Sequence, residues 1–280
     1  MASSVRRPVW VVTGASSGIG QAIALEAARF ATVVAVGRSA ARLEPVVRAG
    51  CRALELDVTS SSEQLAQAVA GIAEREGTID VLVNAAGYLL EGAAEETSDH
   101  ELQQLFDTIA LGPLRLARSV LPLMRRARAG VIANVAGIGA LRGSPNAGPY
   151  CAAKAALSTL TEAMHDELAP LGVRVCLVQL GHFRTNFLQP GHRRKVQAHI
   201  SDYDAVLDPI RAAFDGLNGA QQGDPLKGAQ AIVKVLAGPE VPPLLAVGPD
   251  VPAAELRAHD QRRAQILAWQ HIGGGTDLQG

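Results

Sequence analysis

Between residues 9 and 26 the chain reads Val-Trp-Val-Val-Thr-Gly-Ala-Ser-Ser-Gly-Ile-Gly-Gln-Ala-Ile-Ala-Leu-Glu. The apolar run at 9–12 predicts a buried strand, Thr13 to Gly20 a glycine-rich turn, and Gln21 to Glu26 the opening of a helix. Gly14, Gly18 and Gly20 let the backbone turn tightly and approach a ligand. The N–H groups at a helix start have no partner, and with the positive end of the helix dipole they face an anion. This is a seat for phosphate. Glycine-rich turns also join strands to helices in sites that bind nothing, so the seat gains meaning only from what surrounds it.

The surroundings are those of one α/β domain spanning 1–280. The chain has 280 residues, 48% of them hydrophobic and 19% charged, which is enough to bury a sizeable core. A formal charge of -1 gives no overall basic field for nucleic acid or an anionic membrane. Arg125, Arg126 and Arg128 read as the solvated last turn of a helix. Cys51, Cys151 and Cys176 are odd in number and lack paired spacing, so they read as reduced packing residues, with neither a disulfide framework nor a metal site. Arg6 and Arg7 precede an apolar run of only four residues, too short for a signal peptide, and no stretch approaches a membrane span. The expectation is a soluble cytoplasmic protein without nucleic-acid or membrane partners.

Short apolar runs alternate with helical patterns, which predicts a Rossmann-like doubly wound parallel sheet of about seven strands with helices on both faces. The strands are expected at 9–12, 32–36, 53–56, 79–83, 131–135, 173–178 and 244–247. One long helix is expected over 102–124 and another over 150–168. The stretch 191–223 breaks the alternation. A last helix at 253–272, within an extension of about 250–272, precedes a glycine-rich tail at 273–275 expected to fray.

In such a sheet ligands lie outside the carboxyl ends of the strands. At the end of the second strand stand Gly37 and Arg38, where an NAD site would carry an acid for the ribose hydroxyls. A guanidinium there favours NADP(H), whose 2′-phosphate it can pair. Asp57 and Val58 end the third strand, and Asn84, Ala85, Ala86 and Gly87 the fourth. Tyr150 and Lys154 are four apart on one helix face.

The order Thr13-Gly14-x-x-x-Gly18-x-Gly20, Asp57, Asn84-x-x-Gly87 and Tyr150-x-x-x-Lys154 resembles that of the short-chain dehydrogenases/reductases, over nearly the whole chain. The resemblance implies hydride transfer between a nicotinamide cofactor and a carbonyl or alcohol carbon of a small molecule. Tyr150 is then the general acid/base, and Lys154 binds the nicotinamide ribose and lowers the Tyr150 pKa. It also implies phosphate contacts around Gly14, Ser16, Ser17, Gly18, Ile19 and Gly20, adenine contacts at Asp57 and Val58, and ribose contacts at Asn84, Ala85 and Gly87. Gly181 and Thr185 fall near the carboxamide, and homodimers or homotetramers are expected.

Two departures from the pattern bear on chemistry. Thirteen residues before the tyrosine, where the family places a serine for the reacting oxygen, stands Gly137, preceded by Ala136. In Phe106-Asp107-Thr108-Ile109-Ala110-Leu111-Gly112 the family's relay asparagine aligns with Ile109. The family's Pro-Gly after the sixth strand is here Leu180-Gly181. Tyr88, Ser144, Asn146 and His182 are candidates to supply the missing donor. His192, Arg193, Arg194, Lys195, Tyr203, Ile210 and Phe214 fall in a substrate lid expected at about 187–225, apolar toward substrate and basic toward water. An NADP-dependent oxidoreductase is the first reading. A non-redox cyclisation, isomerisation or dehydration on the same fold is the second, and an NADP-sensing binding protein the third.

Overall fold

The computed structural model describes residues 6–276. In it the chain runs β1 (Val9–Thr13), α1 (Gly18–Ala27), β2 (Thr32–Gly37), α2 (Ala40–Arg48), β3 (Arg52–Glu55), α3 (Ser62–Glu76), β4 (Val81–Asn84), β5 (Leu89–Glu91), α4 (Asp99–Phe106) and α5 (Gly112–Ala127). It continues through β6 (Val131–Val135), α6 (Gly148–Leu168), β7 (Arg174–Leu180), β8 (Arg193–Lys195), α7 (Asp204–Leu217), α8 (Pro225–Leu236), β9 (Leu244–Val247) and α9 (Val251–Gly273). Seven strands form one sheet in the order β3-β2-β1-β4-β6-β7-β9, and every pairing is parallel. The order reverses between β1 and β4, and at such a point the crossovers on either side leave a crevice beyond the strand ends.

Strand alternation explains why a short apolar run is buried whole. Trp10 and Val12 pack on the face covered by α1 and α8, and Val9 and Val11 on the face covered by α3 and α5. The helices begin where the sequence supplies caps. Ser61 and Gln64 form a capping box on α3, and Ser98 and Glu101 another on α4. Asp224 accepts from the amides of Leu226 and Lys227 at the start of α8. Ser17 at the start of α1 makes no such bond, so that helix keeps its first amides free.

Several expectations are corrected. The helix expected at 102–124 is two helices joined by a π-helical turn, Asp107–Leu111, in which the Gly112 amide reaches back to the Asp107 carbonyl. Pro113 has no N–H for the carbonyl of Ile109, and a Cβ on Gly112 would lie 2.6 Å from the Val58 carbonyl oxygen. The irregular stretch contains α7 and is followed by α8, which the expectation omits although Asp224-Pro225 marks its start. A second, two-stranded parallel sheet pairs β5 with β8. Strand ends shift by up to two residues: β3 starts at Arg52, β4 runs to Asn84 and β7 to Leu180. Gly273 closes α9, with Gly274 and Gly275 in the turn after it.

Candidate functional site

At the carboxyl ends of the sheet strands lies a cleft of about 480 Å³. The β1–α1 loop forms its floor at one end. Gly14 is left-handed (φ +67), and a Cβ there would sit 2.8 Å from the backbone of Ala85. A Cβ on Gly20 would come within 2.5 Å of the Gly14 carbonyl oxygen, so the turn closes this tightly only with glycine at both places. Thr13 fixes the turn from below, its hydroxyl accepting from the amides of Ala85 (3.1 Å) and Ala86 (3.3 Å). The uncapped amides of α1 and this glycine cradle suit a diphosphate.

Ser16, Ser17, Gly18 and Ile19 line the cleft beside the cradle, and Arg38, Asp57, Val58, Ala85 and Gly87 line the same end. Asp57 turns its Oδ1 onto Thr59, accepting from the amide (2.9 Å) and the hydroxyl (2.8 Å). Asn84 does not reach the cleft. Its side chain is buried and donates to Asn134 Oδ1 at 2.8 Å, while Asn134 donates to the Thr161 hydroxyl at 2.9 Å. The ribose contact expected of Asn84 therefore gives way to a role in joining β4, β6 and α6.

The other end holds Tyr150, Lys154, Gly181 and Thr185. α6 presents Tyr150 and Lys154 on one face, as their spacing predicts. Lys154 donates to the Val135 carbonyl at 2.7 Å, and burial lowers its pKa to about 8. Burial pushes the Tyr150 phenol above its ordinary value, and the neighbouring Cys151 adds to the rise. No lowering by Lys154 offsets this rise, in which desolvation of the phenol dominates.

Gly137 and Ala136 both line the cleft without a hydroxyl, and the Gly137 carbonyl accepts from Gln179 at 2.8 Å. Ile109 is fully buried against Tyr88, Leu105 and Ala153, an apolar plug at the relay position. Of the candidate donors, Asn146 is turned away onto Glu91 at 3.2 Å and lines no part of the cleft. Tyr88, Ser144 and His182 do line it. The Arg194 guanidinium stacks over the Tyr88 ring at 4.2 Å, and His182 is held by Asp250 at 2.8 Å.

The segment expected as a basic lid is built differently. Arg193 is not a solvated cation: it ion-pairs with the buried Glu91 and with Asp215, and its side chain is only 10% exposed. Tyr203 bonds Glu95 at the surface. The segment's apolar side does face the cleft, through Phe187, Leu188, Phe214 and Leu217. Sequence reasoning missed Arg42, Thr108, Arg142 and Phe183 as lining residues. Arg42 was within reach, since it stands one turn beyond Arg38 at the start of α2.

Residues 8–195 match the short chain dehydrogenase family. A 3-ketodihydrosphingosine reductase of Bacteroides thetaiotaomicron is 34% identical over 241 residues, covering 85% of this chain and 87% of the relative. The crystal structure of a short-chain dehydrogenase from Streptomyces avermitilis superposes with a TM-score of 0.88 at 38% identity, over 99% of this chain and 100% of the other. A metagenomic short-chain oxidoreductase solved in complex with NADP is 33% identical, with a TM-score of 0.60 over 64% of this chain and 84% of its own.

Proposed function

Because the chain belongs to the short-chain dehydrogenase/reductase family and is an oxidoreductase of that type, we propose that it reduces the carbonyl of a small apolar molecule with NADPH, or oxidises the matching alcohol. The observation that carries this reading is that Arg38, the glycine cradle, Lys154 and Tyr150 line one continuous cleft. The bound nicotinamide supplies the hydride.

Arg38 pairs the 2′-phosphate that distinguishes NADP, and the amides at the start of α1 hold the diphosphate. Asp57 and Val58 flank the adenine, Ala85 and Gly87 the ribose, and Gly181 and Thr185 the carboxamide. Tyr150 holds the proton that reaches the carbonyl oxygen: with its pKa raised by burial, the phenol is fully protonated at neutral pH and donates in the reductive direction. Lys154, fixed by the Val135 carbonyl, keeps two further protons for a ribose hydroxyl. Without a serine at 137, a nonstandard group orients the carbonyl, and Tyr88, Ser144 and His182 are the candidates on the cleft wall.

Leu89, Phe187, Leu188, Phe214 and Leu217 make the substrate end apolar, which fits a ketone carrying an alkyl chain. A relative named as a ketone reductase supports the same class. The residues from 187 to 225 act as its lid. The protein works as a homodimer or homotetramer: on α9, Leu256, Ile266, Leu267, Trp269 and Ile272 stand exposed. Light scattering of the 29.2 kDa chain is expected to return two or four copies.

The test of function is calorimetric titration with NADPH and NADH, followed by absorbance of the reduced cofactor against ketones of increasing chain length. Turnover that Tyr150→Phe abolishes is the expected result. NADPH binding without turnover on any ketone or alcohol would move the reading to a non-redox acid/base reaction at Tyr150, which the loss of the serine and asparagine positions favours.

A further inference from the structure

His192 stands immediately before β8, in the segment that covers the apolar end of the cleft, yet its ring lies at the opposite end. Its Nε2 is 3.3 Å from the hydroxyl of Ser17, the residue that opens α1 without capping it, and 3.1 Å from a guanidinium nitrogen of Arg42. The ring is held there by the backbone, because the His192 carbonyl accepts from the Leu89 amide at 2.8 Å as β8 pairs with β5. His192, Ser17, Arg38, Ser39 and Arg42 all line the one cleft.

The charges facing the imidazole are cationic: Arg42 from α2, Arg38 from the end of β2 and Arg194 from β8. The acid at the end of β3, Glu55, accepts from the Ala40 amide at 2.9 Å. Two guanidinium groups and a histidine brought to the cleft wall by three elements, with Arg194 adding positive charge from beside Tyr88, make a site for an anion with more than one charge.

We propose that His192 locks the β8 segment onto the adenosine 2′-phosphate of bound NADP, so that one contact both secures the cofactor and seats the lid over the substrate. The proposal rests on the NADP reading above. In the free protein Arg42 can only donate, so Nε2 accepts from it and the ring is neutral; burial and the three arginines hold its pKa below the ordinary value. A phosphate dianion draws the donors of Arg38 and Arg42 to itself. Nε2 then takes a proton from solvent and becomes a donor to the phosphate, and the lid segment is tied to the ligand rather than to Arg42.

The experiment compares adenosine 2′,5′-bisphosphate with 5′-AMP, which lacks only the 2′-phosphate, by calorimetry at pH 7.5 in two buffers of different ionisation enthalpy. A phosphomonoester has its second pKa near about 6, so the ligand arrives already dianionic, and neither probe carries the nicotinamide half that would reach Lys154. The wild type is expected to prefer the bisphosphate and to take up a fraction of a proton on binding it. His192→Ala is expected to lose about tenfold in affinity for the bisphosphate, with no proton uptake and unchanged affinity for 5′-AMP. Hydrogen exchange in peptides over 189–196 is expected to slow with bisphosphate in the wild type and not in the variant.

No preference for the bisphosphate in the wild type would overturn the NADP reading itself. Preference retained undiminished in His192→Ala, or exchange slowed equally in both proteins, would overturn the lock and leave that reading standing. Equal loss for both probes would also overturn it, since the effect would then belong to the fold and not to the 2′-phosphate.

Discussion

At Gly137 the backbone is extended (φ -175), and a Cβ there would meet only the Leu180 carbonyl oxygen at 3.4 Å. A serine therefore fits without moving the cleft wall. An oxyanion donor is typically worth about 10²- to 10³-fold in kcat. A hydroxyl added at this one position, without its usual surroundings, is expected to recover at least about tenfold of that in Gly137→Ser, with KM for the ketone nearly unchanged. Steady-state kinetics on the best ketone check this, and an unchanged kcat would mean that another group already fills the place. The missing hydroxyl at 137 was legible from the sequence because it is an absence at a fixed distance from Tyr150. The place of Asn84 was not, since its partner Asn134 lies 50 residues away and only strand pairing brings the two amides together.

Between elements, the contact that fixes the β8 segment is Arg193 with Glu91. The Arg193 Nε and a Glu91 carboxylate oxygen are 2.8 Å apart, and both groups are almost wholly desolvated. Removing one partner leaves a buried charge, so Arg193→Ala is expected to cost about 3 to 5 kcal/mol. Arg193→Met combined with Glu91→Gln is expected to restore most of it. Urea denaturation of the three proteins tests both statements, and stability unchanged in both variants would mean that β8 is held by its backbone pairing alone. None of this was readable beforehand: Arg193-Arg194-Lys195 has no apolar alternation, and three residues become a strand only because Leu89–Glu91 offers an edge. The π-helical turn is the opposite case. Gly112-Pro113 was in plain view, and the missing N–H of Pro113 announces a break in the ladder that helical periodicity alone conceals.

For the molecule as a whole, the sheet was legible because the apolar runs of β1, β2, β4, β6 and β7 are buried on both faces, so their burial does not depend on register, while the edge strands β3 and β9 stand largely exposed. What the runs conceal is how stability responds to pH, to which three groups buried in the fold contribute, while the Cys151 thiol, also raised by burial, acts in the same direction as the other two thiols. Cys176 and Cys51 are buried thiols pushed up to about 12 and about 11, and Lys154 is lowered to about 8. Above about pH 9 the unfolded thiols lose protons that the native ones keep, so the native state binds more protons and stability falls as pH rises. The slope approaches about 1.4 kcal/mol per pH unit for each thiol. Lys154 acts in the other direction. Between about pH 8 and about 10.4 the unfolded lysine is protonated while the native one is neutral, so its contribution makes stability rise with pH and offsets about one thiol. Urea denaturation of the wild type at intervals from pH 8 to 10 should therefore show a decline that is shallower than in Lys154→Met and steeper than in Cys176→Ala. A Lys154→Met profile parallel to the wild type would mean that Lys154 stays charged in the native cleft, and the proton it keeps would then be available to a ribose hydroxyl well above neutral pH.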